Sequence, residues 1–180
     1  MRTVIAGAFM TLDGVVQDPG GFGETEHGGW ANQHFDDEAR EQATEQVLNS
    51  DTFLLGRRTY EILEKAWSKN TGPYAEAIHN IPKVVITNTL RGSLPWNATP
   101  RGGDVARTVA ELQGTILIYG SFTLVHTLLQ HKLIDELHLG VHPLFLGSGK
   151  RLFDGALPGA LRLVAATPHA SGVVTLSYAQ

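Results

Sequence analysis

The chain contains no cysteine. A disulfide framework, a zinc–thiolate site, an iron–sulfur cluster and a cysteine nucleophile are excluded together. Positive charge is not in surplus either. There are 14 Lys and Arg against 18 Asp and Glu, a formal net charge of -4, and no basic stripe. This argues against nucleic acid or an anionic membrane as the main partner. No apolar run approaches the roughly 18 residues of a bilayer span. The run Val4 to Met10 is short, and Asp13-Gly14 closes the segment without a small-residue processing site. A cytoplasmic location is therefore expected. Repeats and Pro/Ser linkers are missing too, so residues 1–180 read as a single domain. That length buries a core without staples.

Strong motifs are equally scarce. There is no Rossmann G-x-G-x-x-G. The segment Gly147-Ser148-Gly149-Lys150-Arg151 fails as a P-loop, with Leu144 where a glycine is needed and Arg151 where Ser or Thr is needed. No H-E-x-x-H or facial triad occurs. His138 and His142, four apart on one predicted strand, would stand roughly 13 Å apart, too far to share a metal. No metal is expected. Without a G-x-S-x-G elbow, Ser/His/Asp hydrolysis has no local support. Asp36-Asp37 and Asp135-Glu136 read as caps or solvated charges rather than a catalytic pair.

What is present is an alternation of strands and helices. Strands are predicted at Thr3 to Leu12, Thr52 to Leu55, Lys83 to Thr87 and Thr115 to Tyr119. Helices are predicted from Asp36-Asp37 to about Asn49, from Arg57 to Trp67, from Asp104, and after Gly120-Ser121. Three more strands, Asp135 to Val141, Leu161 to Ala166 and Val173 to Tyr178, follow with only loops between them. Strands joined without crossover helices pair antiparallel. The expected fold is α/β: a mixed, mostly parallel sheet, antiparallel at its C-terminal edge, with helices on both faces.

Two strand-to-helix turns stand out, Leu55-Gly56-Arg57-Arg58-Thr59 and Tyr119-Gly120-Ser121-Phe122-Thr123. A glycine lets a ligand approach the backbone, and the free N–H groups of a helix start favour a phosphate. Arg57 and Arg58 supply guanidinium there, or are simply solvated. In open α/β sheets ligands bind beyond the carboxyl ends of the strands, where both turns lie. Asp13-Gly14 reads as a tight turn, as a carboxylate at that edge, or as both. The stretch Gly20 to Gly29, with Glu24 and Glu26 inside it and Trp30 beside it, reads as a lid or as a mobile surface loop.

In order, these segments resemble one family. Ala8-Phe9-Met10-Thr11-Leu12-Asp13-Gly14 resembles the opening strand of the riboflavin-biosynthesis reductase domain. Leu55-Gly56-Arg57-Arg58-Thr59-Tyr60-Glu61 resembles the G-R-x-T-[WY]-E segment of dihydrofolate reductases. Val85 to Leu90 and Ile118-Tyr119-Gly120-Ser121 resemble the next strand and the paired-glycine turn. Leu133 to Leu137 and Pro143 to Phe153 resemble the riboflavin-type branch in particular.

The resemblance implies a dihydrofolate reductase-like three-layer fold that binds NADPH. Gly56, Arg57, Arg58 and Thr59 would hold phosphate, and Thr87 and Asn88 would lie by the adenosine end. Gly120, Ser121, Phe122 and Thr123 would line the pyrophosphate and nicotinamide, with Ala8 and Phe9 facing the ring. Thr11, Asp13, Glu24, Trp30, Gly147 and Gly149 would border the substrate, and Asp13 is the expected acid. The implied function is NADPH-dependent reduction of a small heterocyclic or ribosylaminopyrimidine-like molecule, similar to 5-amino-6-(5-phosphoribosylamino)uracil reductase. A non-catalytic nucleotide-binding domain and a reductase of a pterin or folate-like substrate are the alternatives. The resemblance also implies a homodimer built through the C-terminal strands.

Three departures qualify it. Arg40 stands where dihydrofolate reductases carry an acid on the first helix, and the Pro-Trp of their active-site loop is missing, so folate reduction is not expected. Tyr119 replaces one glycine of the paired-glycine turn. The deaminase domain that precedes many riboflavin-type reductases does not occur in this sequence, so a stand-alone reductase is expected.

Overall fold

Val, Ile and Leu concentrate in the short segments that pair as strands, as buried parallel strands require. In the computed structural model, which describes residues 1–155 and 159–180, eight strands form one sheet in the order β4-β3-β2-β5-β1-β6-β8-β7. The strands are β1 (Arg2–Thr11), β2 (Thr52–Gly56), β3 (Lys83–Ile86), β4 (Ala98–Arg101), β5 (Gly114–Tyr119), β6 (Glu136–His142), β7 (Arg162–Pro168) and β8 (Val174–Ala179). The helices are α1 (Asp37–Leu48), α2 (Arg57–Trp67), α3 (Pro73–Asn80), α4 (Val105–Glu111) and α5 (Phe122–Gln130). From β4 to β6 every neighbour is parallel, and β8 runs antiparallel to both β6 and β7.

Each side of β1 faces a different helix layer. Val4, Ala6 and Ala8 pack with Val109 of α4 and Leu124, Val125 and Leu128 of α5. On the other side Phe53, Leu55 and Leu117 pack with Val47 of α1, Tyr60 of α2 and Ile78 of α3. Leu54, Leu55, Ile116, Ile118 and Leu128 are fully buried. Each such side chain stabilises the fold by roughly 1.5–3 kcal/mol relative to exposure. Caps define the helix starts: the Asp36 carboxylate accepts from the Ala39 N–H, and Asp104 accepts from those of Ala106 and Arg107.

Three points differ from the sequence-based expectation. β6 pairs parallel with β1 over Ile5 to Thr11, and β7 is not its neighbour, because β8 inserts between them. β7 enters the sheet two positions from β6, and the turn closed by His169 and Val173 brings the chain back so that β8 fills the gap. Two elements escape the periodicity. α3 follows Gly72 and starts at Pro73, and β4, with Pro100 inside it, is a strand only by pairing with β3 at the sheet edge. Asp135 caps no helix: its carboxylate accepts from the Val4 N–H at 2.7 Å and its own N–H donates back to the Val4 carbonyl at 2.9 Å, tying β6 to β1. No helix among the described residues is long and apolar enough to cross a membrane.

Lys83, the first residue of β3, is 1% exposed. Its ammonium donates to the Ile81 carbonyl at 2.9 Å and lies 4.4 Å over the Trp96 ring. Burial pulls its pKa down to about 8. The unfolded chain holds that proton up to about pH 10.4, so between these values the unfolded state binds more protons and stability rises with pH. The melting temperature of the wild type should therefore gain on that of Lys83→Met as pH goes from about 8 to about 10. A constant difference across that window would show that the folded chain keeps the proton.

Candidate active site

The two turns singled out in the sequence meet at the carboxyl edge of the sheet and bind each other. The Gly56 N–H donates to Ser121 Oγ at 2.9 Å, and the Ser121 N–H donates to Thr59 Oγ1 at 3.1 Å. Gly120 sits at φ +66°, and a Cβ there would lie 3.1 Å from Thr59 Cγ2. Only a glycine allows both this backbone and this approach. The helices that follow, α2 and α5, have no side-chain N-cap. Their first N–H groups are left for a ligand, and both helix dipoles add positive potential at one place. Arg57 and Arg58 stand on the first turn of α2.

A cleft of about 590 Å³ opens there. Gly56, Arg57, Arg58 and Thr59 line one wall, Gly120 to Thr123 the next, and Ala8 and Phe9 the floor. Ala43 of α1, Leu63 and Trp67 of α2, and Tyr119 extend it as an apolar trough. Tyr119 Oη donates to Gln46 Oε1 at 2.7 Å, and burial pushes that phenol's pKa above its ordinary value.

The roof is the segment after Val16, and a residue unmarked by the sequence reading holds it. Asp18 is 1% exposed, and its carboxylate accepts from the N–H groups of Phe22 (2.6 Å), Glu24 (2.9 Å) and Thr25 (3.0 Å). A Cβ on Gly28 would fall 2.1 Å from Asp18 Oδ2, so the roof closes only over a glycine. The Asp18-Pro19-Gly20 turn signature was the available signal. Glu24 reaches down from this roof to pair with Arg58 at 3.0 Å. Gln17, Phe22, Phe35, Arg40 and Lys150 also line the cleft.

Several expected substrate residues lie elsewhere. Asp13 is not in the cleft wall. Its Oδ1 accepts from Thr11 Oγ1 at 2.5 Å and the Leu146 N–H at 3.2 Å, and its Oδ2 accepts from the Gly147 N–H at 2.8 Å. The Thr11 hydroxyl first, with the Gly147 and Leu146 N–H groups, holds its carboxyl below the usual carboxylate range against some desolvation. A carboxylate so engaged anchors the 144–151 loop and is a poor acid at neutral pH. Thr11 is buried in that same network. Gly147 and Gly149 shape the loop, where a Cβ on Gly149 would strike Val15 at 2.7 Å. Trp30 is buried, with Nε1 donating to the Gln17 carbonyl at 2.9 Å, and supports the roof from beneath. Thr87 and Asn88 sit one strand over from Gly56, outside the cleft lining. Thr87 Oγ1 accepts from the Thr89 and Leu90 N–H groups, and Asn88 Oδ1 from that of Gly103.

Removing the Asp18 carboxylate should loosen the roof without unfolding the sheet. Charged hydrogen bonds of this kind contribute roughly 1.5–3 kcal/mol each. In Asp18→Ala, hydrogen-exchange protection at Phe22, Glu24 and Thr25 should be lost while that of β1 and β5 stays. Retained protection at these amides would show that the carboxylate does not hold the roof.

Comparison with known proteins accords with this architecture. The family model of the RibD C-terminal domain matches residues 2–175. The uncharacterized protein YyaP of Bacillus subtilis (strain 168) is 29% identical over 188 residues, covering 98% of this chain and 94% of that one. Among solved structures, RibD of Acinetobacter baumannii superposes with a TM-score of 0.64 at 19% identity, covering 99% of this chain and 58% of that one. This chain thus spans little more than half of that RibD. A dihydrofolate reductase of Enterococcus faecalis, complexed with NADP(H) and RAB-propyl, superposes with a TM-score of 0.62 at 16% identity, covering 98% and 95% of the two chains. The matched sequence and the shared architecture make this chain a member of the RibD C-terminal domain family, built on the dihydrofolate reductase-like fold.

Proposed function

We propose that the protein is an NADPH-dependent reductase of a small heterocyclic substrate, working as one domain in the cytoplasm. The observation that carries this reading is the pair of uncapped helix N-termini joined at one cleft, with two arginines on the first turn of α2. That donor set fits a dinucleotide's phosphates. When bound, the nicotinamide supplies a hydride. The chain's own residues do the rest. The N–H groups at the starts of α2 and α5 hold the phosphates, Ala8 and Phe9 form a floor, and the Asp18-held roof excludes water. In the free protein Glu24 occupies Arg58, so a phosphate must displace a carboxylate to reach it. Arg40 disfavours a folate-like substrate: it pairs with Asp37 at 2.9 Å and lies 5.7 Å over the Phe35 ring, with no carboxylate in its place.

A homodimer belongs to the same proposal. Every residue of β7 is exposed, with Leu163 at 52% and Val164 at 58%. An edge strand bare and apolar on both faces is an unfinished surface.

Titration followed by nicotinamide fluorescence tests the cofactor. NADPH should saturate and NADH should bind more weakly. Arg58→Ala should weaken NADPH by about tenfold, the loss of one charged hydrogen bond, while Glu24→Gln tightens it. If neither nucleotide binds at high micromolar concentration, the reading is overturned. For the assembly, light scattering should give a dimer mass that Val164→Lys converts to a monomer; a wild-type monomer would refute it.

A further inference from the structure

The face that α2 turns to the cleft changes character along its length. Arg57, Arg58 and Thr59 come first, then Ile62, Leu63 and Trp67. From Arg58 to Trp67 the helix rises roughly 14 Å. Beyond its first turn α2 therefore gives the cleft no charge. Trp67, its last residue, meets Tyr74 of α3 edge-to-face, with ring centroids 5.0 Å apart. Tyr74 thus lies at the end remote from Arg58, and it lines the cleft as well. From α1 the cleft takes Ala43 and Arg40, whose half-exposed guanidinium already pairs with Asp37 at 2.9 Å. A second cavity, of about 400 Å³, lies behind Phe9 and Tyr119 and is rich in imidazoles, amides and hydroxyls. The trough along α2 differs from it in kind.

One polar group in the trough is uncommitted. Tyr119 Oη donates to Gln46 Oε1. The Tyr74 hydroxyl makes no hydrogen bond among the described residues, and burial alone pushes its pKa up to about 12. It is near enough to Tyr119 for its charge to raise that phenol too. Tyr74 therefore stays an O–H donor at neutral pH. A donor left unpaired in apolar surroundings is costly, and a ligand that brings an acceptor removes that cost. A phosphate or a chain of sugar hydroxyls would lose its water here and meet too few partners. An apolar ring would exchange water for Ile62, Leu63, Trp67 and Tyr74.

We propose that this trough is a binding site for an uncharged aromatic ring carrying a carbonyl group, with the carbonyl oxygen accepting from the Tyr74 hydroxyl. Calling that ring the far end of the substrate, bound here while the reacting end faces Ala8 and Phe9, rests on the reductase reading; the binding chemistry does not.

Acetophenone, toluene and ribose 5-phosphate test it: a ring with an acceptor, a ring without one, and a phosphate without a ring. Binding is followed by calorimetry and by the indole N–H resonance of Trp67, identified with Trp67→Phe, both without NADPH and at saturating NADPH. Acetophenone should shift that resonance with a Kd below about 5 mM, and toluene should bind more weakly. Tyr74→Phe should weaken acetophenone about fivefold, the loss of one neutral hydrogen bond, and leave toluene unchanged. Ala43→Phe should narrow the trough and weaken both rings at least about tenfold. If Ala43→Phe folds poorly, the comparison of the two rings in Tyr74→Phe decides by itself. Four results would overturn the proposal: no shift of the Trp67 resonance by either ring at about 5 mM, Tyr74→Phe keeping the preference for acetophenone, NADPH displacing acetophenone and so claiming the trough for the cofactor, or ribose 5-phosphate displacing acetophenone while NADPH is bound. Acetophenone binding at Trp67 by a protein that ignores both nicotinamide nucleotides would sustain the site and remove the reductase reading alone.

Discussion

Two hydrogen bonds between the Gly56–Thr59 and Gly120–Ser121 turns determine how the cleft is built. They join segments more than sixty residues apart in sequence (Gly56 to Ser121, 65 positions). Each consumes a group that would otherwise compete for a ligand and leaves the next N–H groups of α2 and α5 pointing at one space. A preorganised donor set costs nothing to arrange when an anion arrives. The parallel pairing of β2 with β5 makes the meeting possible, because it brings both carboxyl ends to the same edge.

Carboxylates then do structural work around that frame. Asp18 gathers the N–H groups of the roof, Asp13 those of the 144–151 loop, and Asp135 the start of β1. Glu24 alone of the roof carboxylates is left to face a cation across the cleft. The result is a division of charge: cations beside the Gly56 and Gly120 turns, and four histidines with the carboxylates of Asp36 and Glu45 in a second cavity behind Phe9 and Tyr119.

Much of the fold was legible because local signals agreed with tertiary ones. α2 has the predicted bounds, Arg57–Trp67, since Gly56 ends a buried strand and the apolar spacing begins at once. α3 and β4 were not legible. α3 depends on packing Ala77 and Ile78 into the core, and the four residues of β4 include a proline and owe their conformation to β3. The site divided in the same way. The two turns, Gly56 to Thr59 and Gly120 to Thr123, were readable as turns because strand ends and helix starts are local, but that they meet was not. That Asp13 holds the 144–151 loop outside the cleft lining and that Asp18 holds the roof were not legible, because which N–H groups surround a carboxylate depends on how loops return.

The amino-acid order by itself determined the alternation of elements, the two glycine-bearing strand-to-helix turns, the absence of thiol chemistry and the resemblance to a reductase family. These follow from composition and from contacts within a few residues. The tertiary structure alone decided that β8 lies between β6 and β7, that Asp13 and Asp18 are anchors, and that four histidines distant in sequence line one chamber. The reason is physical: the environment of a side chain, and so its charge state and its partners, is set by burial and by neighbours that only the folded chain brings together.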